Sequence, residues 1–394
     1  MRIVQTVFGV FHHFELARQL HQRNHLQKLY TTWPRMRIDR EGLPPELVET
    51  FPWIHAPEML AQRFGLSNAW LLDQTSYANA LTFDRWTSRK LRREAPPDAL
   101  IAISGSSLTT GQELQARGSR FICDRGSSHQ RYQERIVAEE YRRWNVSRPV
   151  TDIRDILREE KIYQAADAIT VPSTFAARSF IEEGLPPEKL HVIPYGVRLE
   201  QFVPTGEPPA SEDQFEVLFA GSVSLRKGVP YLLHAFAKLR HPAKRLRVAG
   251  SIHPDMKTVL GRLPQEHVEF LGPVSQPRLA ELMSTSHLMV LPSIEEGLAL
   301  VQGQALACGC PVLASTNTGG EDLFTDGVEG FIVPVRDIEA LTDRMQRLAD
   351  DPALQQRMNQ AALLRVQSIG GWQEYGDRWE TLLQQLTGKT QVRT

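Results

Sequence analysis

The chain has 394 residues, more than one hydrophobic core usually organises, so two domains are expected. Hydrophobic residues make up 41% and charged residues 23%, which excludes a chain dominated by disorder. Lys plus Arg number 45 against 46 Asp plus Glu, which excludes a nucleic-acid binder held by overall charge.

Three cysteines, Cys123, Cys308 and Cys310, make no disulfide framework and lack Cys-x-x-Cys spacing, so a reducing cytoplasm is the simplest compartment. No apolar run approaches the ~20 residues that span a bilayer. The apolar start, 1–11, carries Gln5 and runs at once into His12, His13 and Glu15. A first strand is expected there rather than a secretory leader.

From there a rhythm repeats: a short apolar run, a turn, then an amphipathic helix. The runs at 3–8, 100–104, 120–123 and 168–171 are expected strands, and 13–22, 108–117, 131–144 and 173–183 the helices between them. Between 34 and 97 the pattern is irregular and punctuated by prolines. Residues 193–202 and the polar stretch to 213 form a linker. Beyond it the rhythm resumes, with strands at 216–221, 246–250, 268–271, 288–291, 312–314 and 330–333. Helices are expected at 229–239, 253–263, 276–284, 299–307 and 337–350. Strands such as Val-Leu-Phe-Ala are apolar on both faces, as parallel strands covered by helices are, so two doubly wound α/β domains are expected.

Two loops in the second half carry chemistry. After the strand ending at Gly221 come Ser222, then Arg226-Lys227 and Gly228 ahead of a helix. Paired cations beside a helix start suit a leaving diphosphate, although an Arg-Lys pair in a loop is more often plain surface. After the strand ending at Leu291 come Glu296, Gly297 and a helix opening near Ala299. The loop and first turn, Gly297, Leu298, Ala299, Leu300 and Val301, offer main-chain amides and a positive dipole end to a phosphate. Glu296 is placed to accept hydrogen bonds from sugar hydroxyls. Gln304, five residues into the helix, is ~7 Å further along its axis, a fitting distance from a pyrophosphate to the ribose of one nucleotide.

In this order and spacing the second half resembles the donor-binding domain of the family 4 glycosyltransferases. The resemblance extends over Val268–Gly272 with Val274, Pro292-Ser293, Glu296-Gly297, Ala305-Leu-Ala-Cys-Gly-Cys-Pro-Val312, Gly319-Gly320 and Gly330-Phe-Ile-Val-Pro334. It implies a GT-B fold: two Rossmann-like domains facing a cleft, with a terminal helix returning to the first. The expected units are an acceptor domain over 1–200, a nucleotide-sugar domain over 201–370 and the helix over 371–394. It further implies a retaining, metal-independent sugar transfer from a nucleotide diphosphate sugar to a hydroxyl of a glycan, lipid-linked or small-molecule acceptor, with no cofactor. Lys227 and Glu296 are then catalytic-site residues. Two positions depart from the family: Gln304 replaces the usual Glu, and Ser222 the phosphate-contacting Arg, for which Arg226 is the candidate substitute.

In the first half the resemblance matches Gly9 to a glycine-rich loop near the donor phosphates, with His12 and His13 beside it as acceptor-side candidates. Asp124-Arg125-Gly-Ser-Ser-His129 follows another strand end. The family carries a His that contacts the transferred sugar, and His129 is expected to fill that role by entering the cleft. Asp124 and Arg125 are candidates to contact the acceptor or orient that ring. The basic stretch 85–93, built around Trp86 and Leu91, suits peripheral contact with an anionic membrane, with a solvated helix face as the stronger competing account. The rivals to a transferase are a nucleotide-sugar epimerase of related fold and a nucleotide-sugar-binding protein without catalysis. An oxidoreductase is weaker, because neither half opens with Gly-x-Gly-x-x-Gly.

Overall fold

The computed structural model describes residues 1–9, 12–57, 59, 69–148, 151–198, 200–210 and 213–389, with main chain only at 69–73. The last five residues of the expected terminal unit, 390–394, and part of the linker therefore lie outside the described residues.

Two parallel sheets organise the chain. The first holds β1 (Ile3–Val7), β2 (Leu26–Thr31), β3 (Val48–Thr50), β4 (Ala99–Ile103), β5 (Arg120–Asp124), β6 (Ala168–Val171) and β7 (Leu190–Val192), in the order β3-β2-β1-β4-β5-β6-β7. The second holds β8 (Phe215–Ala220), β9 (Lys244–Ala249), β10 (Val268–Gly272), β11 (Leu288–Leu291), β12 (Val312–Ser315) and β13 (Gly330–Val333), in the order β10-β9-β8-β11-β12-β13. Every residue of β1 and β8 is buried, as in a parallel sheet whose two faces are covered by helices, and the polar members Gln5, Thr6 and Glu216 are buried with the rest. Strand order reverses between β1 and β4 and between β8 and β11. Each reversal opens a crevice at the carboxyl ends of the strands, where ligands bind in sheets of this kind.

The irregular span from 34 to 97 contains β3 and the helix Ala69–Leu91, and β2 lies just before it. Strand β2 escapes the apolar pattern because Gln27 and Lys28 are half-buried, with Lys28 Nζ donating to the Glu46 carbonyl at 2.7 Å. The helix expected over 253–263 is instead two short 3-10 turns, Pro254–Met256 and Leu260–Arg262. Gly261 and Pro264 disfavour a continuous helix there. In the basic stretch, Trp86 packs among Tyr30, Phe51 and Phe83, and Leu91 is buried. The membrane reading placed these two apolar residues between the cations, but the structure turns both inward and leaves a charged face, with Lys90 paired to Glu49 and Arg92 to Glu113. Among the described residues, no helix is long and apolar enough to cross a membrane.

The two halves are joined twice. The linker passes Gly196 against Gly371, so closely that a Cβ on Gly196 would lie 2.4 Å from the Gly371 main chain. Helix Trp372–Thr387 then returns to helix His12–Gln22, burying Tyr375, Trp379 and Leu383 and pairing Arg23 with Asp377 and His25 with Glu380. Fully burying each large apolar side chain stabilises this junction by about 1.5–3 kcal/mol.

Candidate functional site

The site forms where the crevices of the two sheets face each other. Strand β8 ends at Ala220 and is followed by Gly221, whose φ of 149° disfavours other residues. A Cβ there would lie 3.8 Å from the Lys227 Cε, so the Lys227 side chain lies over Gly221, with Ser222 beside them. Gly228 has φ 67°, and a Cβ on it would come 2.0 Å from the Pro292 carbonyl oxygen. The glycine thus lets the cation loop pack onto the loop that follows β11.

That second loop is held by main-chain hydrogen bonds from Glu296 N to Asn317 O (2.9 Å) and from Ala299 N to Thr318 O (3.2 Å). Its helix is Leu300–Ala307, with Ala299 as the cap residue. The two loops bring the predicted donor-site charges together. Lys227 Nζ ion-pairs with Glu296 Oε1, and an Arg226 guanidinium nitrogen lies 3.5 Å from the same oxygen. Burial lowers the Arg226 pKa, but Glu296 and Glu295 outweigh it and raise the net value. Leu298 is buried, with its side chain against the Gly319 backbone, so any ligand contact from it would be through the main chain.

A cleft of about 340 Å³ opens beside these loops, lined among others by His12, Gly196, Gln276, Leu300, Gln304 and Trp372. It draws on both domains, the linker and the terminal helix. Leu300 and Gln304, two of the expected donor-site residues, line it. Gln276 and Trp372 escaped the sequence reading, although Gln276 follows the Gly272–Val274 motif closely.

On the first domain, a Cβ at Gly9 would meet nothing within 4 Å among the described residues. His12, His13 and Asp124 form a buried cluster: Asp124 Oδ2 is 3.2 Å from His12 Nε2 and 3.1 Å from His13 Nδ1. Burial drives the His12 pKa down to about 4, with Asp124 opposing, so its ring is neutral at pH 7. Burial works against the Asp124 carboxylate, but the two imidazoles hold it ionised well below its usual range. Among the described residues, this is the group of His and Asp donors close enough together to hold a cation, its ligand atoms lying within 4.8 Å of one another.

Two expectations need correction. His129 does not enter the cleft. Strand β5 ends at Asp124, so His129, five residues later, lies beyond the turn and caps helix Gln130–Arg143, its Nδ1 accepting from Arg131 N at 3.2 Å. Its ring packs against Tyr163 and Phe180, and it lines a groove of the first domain with Leu108, Gln112 and Leu157. Burial lowers its pKa to about 4. Arg125 likewise turns into its own domain, bonding Glu159, the Ser128 carbonyl, Gln130 and Gln133. The first-domain groups at the strand end are Asp124 and its two histidine partners.

Two model matches tile most of the chain: Glycosyltransferase Family 4 over residues 10–201 and Glycosyl transferases group 1 over residues 206–365. Two curated relatives are D-inositol 3-phosphate glycosyltransferases. That of Kribbella flavida is 29% identical over 55% of this chain and 56% of its own length. That of Catenulispora acidiphila is 33% identical over 57% of this chain and 58% of its own. The match thus spans little more than half the length of these curated relatives. Among solved structures, a sucrose-phosphate synthase of Thermosynechococcus elongatus superposes with TM-score 0.73 at 19% identity, covering 99% of this chain and all of that one. Anabaena Alr3699/HepE, solved in complex with UDP, gives 0.67 at 16% identity over 98% of this chain and all of that one. With its two parallel-sheet domains facing a cleft in the GT-B arrangement, the chain belongs to the family 4 glycosyltransferases.

Proposed function

We propose that the protein transfers a sugar from a nucleotide diphosphate sugar to an acceptor hydroxyl, with retention at the anomeric carbon and without a metal ion. The observation that carries this reading is the meeting of Lys227, Arg226 and Glu296 at the ends of β8 and β11, beside a cleft that Leu300 and Gln304 line. In the reaction the bond from the anomeric carbon to the diphosphate breaks while positive charge grows on the sugar. Lys227, Arg226 and the amides opening helix Leu300–Ala307 would stabilise the departing negative charge. Glu296 would turn from Lys227 to the sugar hydroxyls. The acceptor oxygen then bonds to the same face, and its proton passes to the leaving diphosphate. Gln304 would hold the ribose.

The UDP complexes of Alr3699/HepE support uracil as the base to try first. The names of the curated relatives support including a phosphorylated polyol among the acceptors. The test is a panel of nucleotide sugars scored for thermal stabilisation and nucleotide release, with and without EDTA. Release that persists in EDTA is expected. Strict dependence on added divalent metal would overturn the metal-free reaction and direct attention to His12, His13 and Asp124.

A further inference from the structure

The carboxylate next to the proposed sugar-binding Glu296 has no part in the reaction described so far, yet it is the more deeply buried of the two. Glu295 is wholly buried, and its side chain crosses from the second domain into the first. One oxygen accepts from Ser127 Oγ at 2.6 Å and Ser128 Oγ at 2.7 Å, and the other from Gln133 Nε2 at 2.8 Å. The directly bonded cation is on its own domain: Arg226 donates to the Glu295 carbonyl at 2.8 Å and lies 3.4 Å from its carboxylate, while Arg125 of the first domain acts on it at longer range. Burial pushes the Glu295 carboxyl up, but Arg226 and the three first-domain donors outweigh it and keep the group ionised.

A buried carboxylate needs partners, and these two sets compete for it. With the domains together, three neutral side-chain donors satisfy Glu295, and its carboxylate holds Arg226 only through the longer 3.4 Å contact. With the domains apart, those donors leave and the nearest compensation is the full charge of Arg226. We propose that Glu295 is a positioning residue that ties closure of the cleft to the release of Arg226 for the leaving diphosphate. This rests on the donor reading above. Its consequence is that the cation becomes available only where water is excluded, which favours transfer over hydrolysis.

Two measurements test it. Spin labels at Arg93→Cys and Asp343→Cys report the separation of the domains, since the three native cysteines are buried. In unliganded protein, Ser127→Ala/Ser128→Ala is expected to shift the distances to longer values than in the labelled parent, and Glu295→Gln to do so as well. Titration with UDP supplies the second readout. Ser127→Ala/Ser128→Ala should weaken UDP about 10-fold, because Glu295 then retains Arg226. Adding Glu295→Gln to that variant should recover most of the loss, which a merely structural role would not do. Unchanged distances, or further weakening of UDP in the triple variant, would overturn the latch. A parent protein that shows the expected distances but binds no UDP would instead count against the donor reading.

Discussion

Lys227, at the end of the cation loop after β8, ion-pairs with Glu296, which follows β11, and both side chains are largely buried. The two strands are neighbours in the sheet, so the pair bridges the crevice at the point where strand order reverses. An ion pair there is costly to desolvate, and removing one partner leaves the other uncompensated. Lys227→Ala is therefore expected to lower turnover by about 100-fold or more through lost stabilisation of the leaving diphosphate. Glu296→Gln should lower turnover while binding nucleotide at least as tightly, since it frees the cation. Steady-state kinetics and nucleotide titration of both variants check this. Equal losses of nucleotide affinity in both would contradict the division of roles.

Arg226 is proposed to replace the charge that Ser222 does not supply. Arg226→Ala should weaken nucleotide diphosphate binding by about 10-fold and lower turnover, while Ser222→Arg in that background should restore part of the affinity. Gln304→Glu tests the other departure. A carboxylate accepts from two ribose hydroxyls where an amide offers one acceptor and one donor, so ribonucleotides should bind more tightly and 2′-deoxyribonucleotides should gain less. Intact donor affinity and turnover in Arg226→Ala would rule out the substitute role.

The parts of this architecture that the sequence revealed are those whose local chemistry repeats. Strand β11 is apolar throughout and β8 apart from Glu216, and the glycines at 228 and 297 punctuate loops that approach other main chain closely. Strand β2 and helix Ala69–Leu91, of which only 85–91 falls in a stretch that the sequence offers as helical, show no clear period because their described side chains are buried only in part. His129 was misplaced for a different reason. The serines of the Gly126-Ser127-Ser128 turn that precedes it are spent on Glu295 from the other domain. No local pattern announces such a contact across 167 residues. The doublet Glu295-Glu296 is visible in the sequence, but only the structure sends the first side chain to Ser127 and Ser128 and pairs the second with Lys227.

His287 gives the stability a pH dependence. Its Nδ1 accepts from Glu216 N at 2.9 Å and its Nε2 lies 2.9 Å from the Pro209 carbonyl, so the neutral ring satisfies both partners and protonation at Nδ1 breaks the first bond. Burial lowers its pKa to about 4, as it does for His12 and His129. The unfolded chain then binds protons from about pH 6.5 that the folded chain refuses until about pH 4. The stability these rings contribute is complete above pH 6.5 and lost as pH falls towards 4. Thermal melts at intervals across that window should show Tm falling, with a shallower slope in His287→Asn. An identical slope in the variant would place the acid sensitivity elsewhere.

Gly297 offers a way to hold the cleft open without touching a charge. A Cβ added there would lie 2.1 Å from the Gly126 carbonyl oxygen and 2.7 Å from the Ser127 Cα, both main-chain atoms of the opposite domain. Its φ is not in the left-handed region, so alanine carries no backbone strain there. The whole effect of Gly297→Ala must therefore come from separating two loops that otherwise touch, with the Ser173 hydroxyl bond to the Gly297 carbonyl lost as well. Since each domain keeps its own core, Tm should fall only modestly, while turnover falls by about 10-fold or more because the reacting groups no longer meet. Small-angle scattering should show a larger radius of gyration than the parent. A variant that is as compact and as active as the parent would mean that the contact between Gly126 and Gly297 is not needed for the reaction.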